Sequence, residues 1–433
     1  MVTRKKRRIA KVPEQPSGTL DLQIPPEKAE PASIGNVLMM VIPMLGSTGV
    51  MIFMALQQQQ QQSNPRMLLM GGGMLVAMLG MVGFNMYRQF SQYRTRVVTQ
   101  RREYLSYLAE TREAVRKVAK KQRAYYNWVY PDPDALVTLA ANGSRLWSRE
   151  GNTYDLLAFR YGSGTQPLGL TFNRPPIDPM TEMDVVCLSA MDRFIGVHDH
   201  TDNVGMFLYL GDFSHIEVAG EGESVYDEMR AIMMHLACFI EPSKLKIAVL
   251  CSADRLGDWE WVKWMPQARS SLVRDAVGPG RMISTDPAEL AEMIGPEIPM
   301  RGPFRFTDDM PEWPHLLLVC DGAEFPSSSP LASPSGVRGV TIMSRAREWT
   351  PMTSHTTLRL VIHPSADRNG SDVVDVVTMD SVPESAHADR LSAVQAEAIA
   401  RRMTPFATQQ SLEEADTPVG RSDESRQKDL MEL

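Results

Sequence analysis

Cysteine is scarce in these 433 residues: Cys187, Cys238, Cys251 and Cys320 lie far apart, with no CxxC pair and no grouping with histidine. That pattern excludes a disulfide framework and argues against a zinc site. The expectation is four small buried thiols in a reducing compartment. Charge is missing from Ile34 to Leu56 (23 residues) and from Met67 to Met86 (20 residues). Proline and glycine are missing from Tyr87 to Asn127. A lysine followed by Ser or Thr is missing after the turn at Gly220 to Gly222, where a phosphate-binding loop would carry it. The formal net charge of -7 says less than these local gaps, because the sign of charge is uneven along the chain.

Each uncharged run is long enough to cross a bilayer core of about 30 Å as a helix. Membrane helices tolerate residues such as Pro43, Gly46 and Gly71 to Gly73. The linker "QQQQQQSNPR" is short and polar, and basic residues flank the pair at Arg4 to Arg8 and from Arg88 onward. The positive-inside rule then predicts a transmembrane hairpin over 34–86 with both termini cytoplasmic. After it, a helix of 87–130 is expected. Tyr104, Leu108, Thr111, Val115, Val118, Gln122 and Tyr125 alternate at spacings of four and three. That seam suits packing on a partner, while the other faces are basic. "YPDPDAL" ends the helix.

From 131 to 406, short β-branched runs alternate with helical patterns. "IEVAG", "KLKIAVLCS", "HLLLVCDG", "GVTIMS" and "LRLVIH" read as buried parallel strands. The fold class expected is α/β, a doubly wound domain like that of the P-loop ATPases, beyond a membrane hairpin and stalk. "IEVAGEGES" has the strand–loop–helix layout of a phosphate loop. A working loop cradles phosphate on backbone amides, and its lysine and hydroxyl reach the β/γ phosphates and Mg²⁺. Here Gly220, Gly222, Glu223 and Ser224 supply the turn, but carboxylates stand where phosphate charge would lie. Asp321 ends the strand "HLLLVCD" at a Walker B position, with Gly322 where a second carboxylate would orient water. These five residues form a degenerate nucleotide site. The same residues also make a generic strand-to-helix turn and an Asp-Gly turn. No catalytic or metal residue is assigned.

Three weaker candidates remain. His198 and His200 in "GVHDHTDN", with Asp199 and Asp202, would share a face on a strand and could ligate a metal, but a polar surface turn fits them better. Arg345 reads as an interface arginine or a surface ion pair. Trp259, Trp261 and Trp264 could stack nucleobases, yet beside Asp258 and Glu260 they read as a packing or docking corner.

"SGTLDLQIPPE" (Ser17 to Glu27), the stalk "REYLSYLAETREAVRKVAKKQRAYYNWVYPDPDAL", "RLWSREGNTYDLLAFRYGSGTQPL", "DWEWVKWMPQAR" (Asp258 to Arg269), "GRMISTDPAELAEMIG" and "AEAIARRMTPF" together carry a resemblance. The chain resembles the N-terminal part of EccC, the FtsK/SpoIIIE-type ATPase family of type VII (ESX) secretion in actinobacteria. The match covers nearly its whole length, and the W-x-W-x-KW-x-P segment is the most specific piece. The resemblance implies a multi-pass protein of the bacterial inner membrane. In it a DUF domain with degenerate motifs (131–406) couples FtsK-like ATPase domains to the export channel. It implies no tightly bound cofactor here, ATP and Mg being left to those further domains. Expected partners are secretion components of the EccB, EccD and EccE types, WXG-type substrates through the ATPase domains, and copies of itself in a hexamer, with no nucleic acid. The polar tail 407–433 reads as a linker, so the chain is either a truncated piece or a split subunit. The rivals are the membrane subunit of an FtsK-like DNA translocase and a membrane-bound sensor module.

Overall fold

In a computed structural model of the chain, the five apolar runs lie side by side in one sheet. The residues described are 12–30, scattered positions between 39 and 57, 65–149, 154–276, 278–305, 312–346, 351–365 and 370–406. They divide into two compact units, one built from 12–15, 121–167 and 201–406, the other from the described residues of 16–120 and 168–200.

The first unit holds a ten-stranded sheet. Six of its strands are parallel neighbours in the order β12 (Thr357–His363), β5 (His215–Gly220), β11 (Val340–Ala346), β10 (His315–Asp321), β6 (Leu245–Cys251) and β9 (Ile283–Ser284). Antiparallel pairing extends it past β12 through β13 (Val373–Val377), β14 (Glu384–Ala388) and β2 (Ala158–Pro167), with β4 (His200–Tyr209) at the edge beside β2. Helices cover both faces, which is why β6 and β10 are buried along nearly their whole length. Ile247, Val249, Leu317 and Val319 enter a core with α4 (Ser224–Phe239) and α6 (Ala393–Met403). Their neighbours Ala248, Leu250, Leu316 and Leu318 enter a second core with α5 (Pro287–Ile294). The period-two geometry of a strand thus feeds two cores from one run.

In the second unit, β1 (Gly18–Asp21) pairs in parallel with β3 (Leu170–Asn173). The helix α1 (Pro65–Val129) contributes residues up to Lys120. Its seam residues Tyr104, Leu108 and Val115 are buried with Leu22, Leu168 and with Cys187, Met191 and Phe194 of α3 (Val185–His198). The seam therefore packs on the chain's own α3 and strand pair, and the expected external partner for these residues is corrected. Arg101 donates from Nε and Nη2 to Asp184 at 2.9 and 2.8 Å, while Asp184 caps α3 by accepting from the amides of Val186 and Cys187. The Arg101 hydrogen bond, ahead of the α3 amides, holds the Asp184 carboxyl below its usual range.

The membrane hairpin and the multi-pass inner-membrane location are corrected as well. Among the described residues, no helix is long and apolar enough to cross a membrane. The run Ile34 to Leu56 lies largely outside the described residues. The run Met67 to Met86 forms the start of α1, which continues unbroken into the charged stretch from Arg88. Its Gly71, Gly72, Gly73, Gly80 and Gly83 add almost no apolar surface, which a reading based on missing charge overvalued. The tail 407–433 and the basic cluster Arg4 to Arg8 lie outside the described residues.

Candidate functional site

The carboxyl edge of the parallel strands is where α/β folds place ligands, and the predicted site residues converge there. β5 ends at Gly220, and the chain turns through Glu221 to Glu223 into α4. Gly220 has φ 146°, and a Cβ on it would sit 2.8 Å from the Ile362 carbonyl oxygen, so backbone crowding dictates glycine there. Gly222 has φ 72°, the left-handed conformation the turn needs. The layout is that of a phosphate loop.

Two of its side chains already interact with other parts of the protein. Glu223 pairs with Arg230, which also reaches Asp227 at 2.8 Å and the Leu391 carbonyl at 2.8 Å. The Ser224 hydroxyl lies toward the buried Asp372 carboxylate and helps lower its pKa. Burial would raise the Asp372 pKa, but Arg390, the Ser365 amide and Ser224 outweigh burial and hold it below the usual range. A fixed anion thus stands at the first turn of α4, where a nucleotide's phosphate would otherwise be favoured by the helix dipole.

Asp321 ends β10 at the same edge, 3% exposed. Its Oδ2 accepts from Trp259 Nε1 at 2.9 Å, and Tyr226 Oη of α4 lies 3.5 Å from Oδ1. Arg345 donates to that Tyr226 hydroxyl at 3.1 Å, with its guanidinium 5.3 Å from the ring centre. Arg345 is thus tied to an aromatic hydroxyl, where the sequence offered an interface arginine or a surface ion pair. Trp259 and Trp261 are buried, and Arg401 covers the Trp264 ring at 4.3 Å, so the tryptophans form a packing corner with no free stacking face. With no lysine in the loop, Glu223 on Arg230, Ser224 on Asp372 and Asp321 on Trp259, these residues do not fit ATP and Mg²⁺. No hydrolytic step follows from them.

His198 ends α3 against the Phe194 ring at 4.9 Å, and His200 bonds Asp199 at 2.5 Å. The pair does not share a strand face, and no group of three or more His, Cys, Asp or Glu that could hold a metal occurs among the described residues. The four cysteines are free thiols, three buried and Cys320 half-buried.

Sequence reasoning missed a buried charge network behind the loop. Arg160 donates to both oxygens of Asp389 at 2.8 and 2.9 Å and to the Tyr130 carbonyl at 3.0 Å. Glu228 of α4, fully buried, accepts from the Asp389 amide at 2.9 Å through Oε2, while Oε1 has no partner. Burial, reinforced by Asp389, pushes the Glu228 carboxyl well above its usual range. The signal in the sequence was a glutamate among the mostly apolar residues of that helix.

The fold and this edge define an α/β protein with a mixed sheet, whose strand-to-helix turn at Gly220–Ser224 is engaged by its own side chains. Relatives among known proteins agree on the lineage: the chain belongs to the EccC family of ESX secretion system proteins. It is 32% identical over 416 residues to the ESX secretion system protein EccC of Thermomonospora curvata, covering 94% of this chain and 30% of that protein. It is 30% identical to the ESX-3 secretion system protein EccC3 of Mycobacterium tuberculosis, covering 78% of this chain and 25% of that one. The ESX-1 protein EccCa1 of the same species is 28% identical, covering 71% and 40%. The chain therefore spans less than half the length of these relatives. No family model matches it. The cytoplasmic domain of the Thermomonospora curvata type VII secretion ATPase EccC aligns at 13% identity and a TM-score of 0.27, too slight a likeness to bear on the fold.

Proposed function

We propose that this chain is a coupling module of a type VII secretion motor that does not itself hydrolyse nucleotide. In this reading the sheet domain passes on movement generated by FtsK-like ATPase domains, in cis or on a separate subunit. The Trp259–Asp321 hydrogen bond carries the reading: the one strand-end aspartate placed to serve a nucleotide's cation is committed to an indole. The missing lysine and the Glu223–Arg230 pair support it. The proposed partners are secretion components of the EccB, EccD and EccE types and further copies of the motor. WXG-type substrates are handled by the ATPase domains, where ATP and Mg also act.

The test is ATP hydrolysis by the purified chain with Mg²⁺, expected at background. Turnover that disappears in Asp321→Ala would overturn the proposal. Copurification from cells separates the other readings: secretion components are expected, whereas DNA would point to a translocase and neither would point to a sensor module.

A further inference from the structure

Two arginines of the first unit line one cavity with no carboxylate partner among the described residues. The cavity is about 490 Å³ and is walled by aromatic rings that include Tyr125, Tyr126, Trp128, Phe207, Tyr209 and Phe239. Arg145 and Arg149 line it, four residues apart in "RLWSR". Neither forms an ion pair with a carboxylate among the described residues. Arg145 donates from Nη2 to the Trp128 carbonyl and lies 3.9 Å over the Trp128 ring, but its Nε is shielded from solvent with no acceptor. Arg149 spends Nη1 and Nη2 on the carbonyls of Leu156, Ala158 and Val129 and lies 5.4 and 5.1 Å from the rings of Tyr130 and Phe239. Burial pulls both guanidiniums down to about 10, and the like charge of Arg145 adds to the lowering of Arg149.

Carbonyls and ring faces offset part of the desolvation of two cations, but they supply no negative charge. Unspent donors beside unneutralised charge are what a guanidinium offers an oxyanion. The rest of the site is too large and too aromatic for an inorganic ion alone. A free phosphate would occupy the volume of a few waters, each about 30 Å³, and leave the ring walls uncovered. Ligand sites of this size are typically apolar walls with a few polar groups that fix orientation.

We propose that this cavity binds a small anion with a flat aromatic body, its phosphate or carboxylate head held by Arg145 and Arg149 and its ring laid against Tyr126 and Trp128. A nucleoside monophosphate and an aryl carboxylate are the two sources of that chemistry. The site is separate from the filled loop at Gly220–Ser224 and does not depend on it.

Calorimetric titration of the purified full chain with AMP, 4-hydroxyphenylacetate, adenosine and inorganic phosphate tests this. At least one of the two aromatic anions should bind about tenfold or more tightly than adenosine or inorganic phosphate, since a charge-assisted hydrogen bond and a ring contact are both needed. Preference for AMP assigns a phosphate head, and preference for the arylacetate assigns a carboxylate head. If neither exceeds both controls, the proposal is overturned on the unaltered protein, whatever the variants do. Arg145→Gln and Arg149→Gln should each weaken the preferred ligand about tenfold or more. Unchanged affinity in both variants, with unfolding temperatures like that of the parent, would also overturn it.

Discussion

Trp259 donates its indole N–H to Asp321 at 2.9 Å across the carboxyl edge of the sheet. The pair joins the most family-specific segment of the chain to the strand end that mattered most in the sequence. Both partners are buried, at 1% and 3% exposure. Trp259→Phe leaves that carboxylate buried without its donor, a loss of about 1–3 kcal/mol beyond the lost packing. Adding Asp321→Asn should return part of it, because the neutral amide tolerates burial better. Urea unfolding of the two single variants and the double variant checks this, and strictly additive losses would show that the hydrogen bond contributes nothing.

Val115 is 2% exposed within the chain's own core. Val115→Asp puts an unpaired carboxylate there, at a cost of about 3–5 kcal/mol. The isolated chain should therefore lose thermal stability with no secretion component present. A variant that melts like the parent would mean that the seam is open in solution.

The Glu228 carboxyl is raised in the folded protein, so its contribution is intact below the ordinary carboxyl pKa of about 4.3 and is lost as pH climbs through the folded value. Glu228→Gln keeps an acceptor for the Asp389 amide and removes the ionisation. Its urea midpoint should exceed the parent's at pH 8 and meet it at pH 4. A gap that widens toward acid would reverse the assignment.

The two loop glycines should respond differently. Gly220→Ala must push a Cβ against the Ile362 carbonyl at 2.8 Å, whereas Gly222→Ala meets open space and carries only the left-handed penalty. The first should cost more than the roughly 1 kcal/mol expected for the second. Equal losses by thermal melting would argue against the tight approach.

Much of the sheet was legible because buried parallel strands leave a plain record: five apolar runs in the sequence are β5, β6, β10, β11 and β12. The antiparallel flank was not. β14 reads "ESAHA", with one buried residue among polar ones, and only its neighbours β13 and β2 make it a strand. The α1 seam was visible as a period, but a period does not say what covers it, and Met191 and Phe194 of α3 sit far along the chain. The turn at Gly220 was legible from its glycines and missing lysine. What fills it was not, since Asp372, Leu391 and Trp259 arrive from segments with no sequence link to the loop. Arg145 and Arg149 carried no signal at all, because an arginine without a carboxylate looks like any other in a string of letters.

The filled loop also limits where this lineage can go. Placing a lysine at Glu223 would set a cation against Arg230, leave Ser224 on Asp372 and leave Asp321 on Trp259. Each reversal taken alone breaks an existing contact and returns no phosphate binding to compensate. In the proposed reading, nucleotide chemistry at this turn would need several simultaneous changes in distant segments, so the arrangement acts as a ratchet.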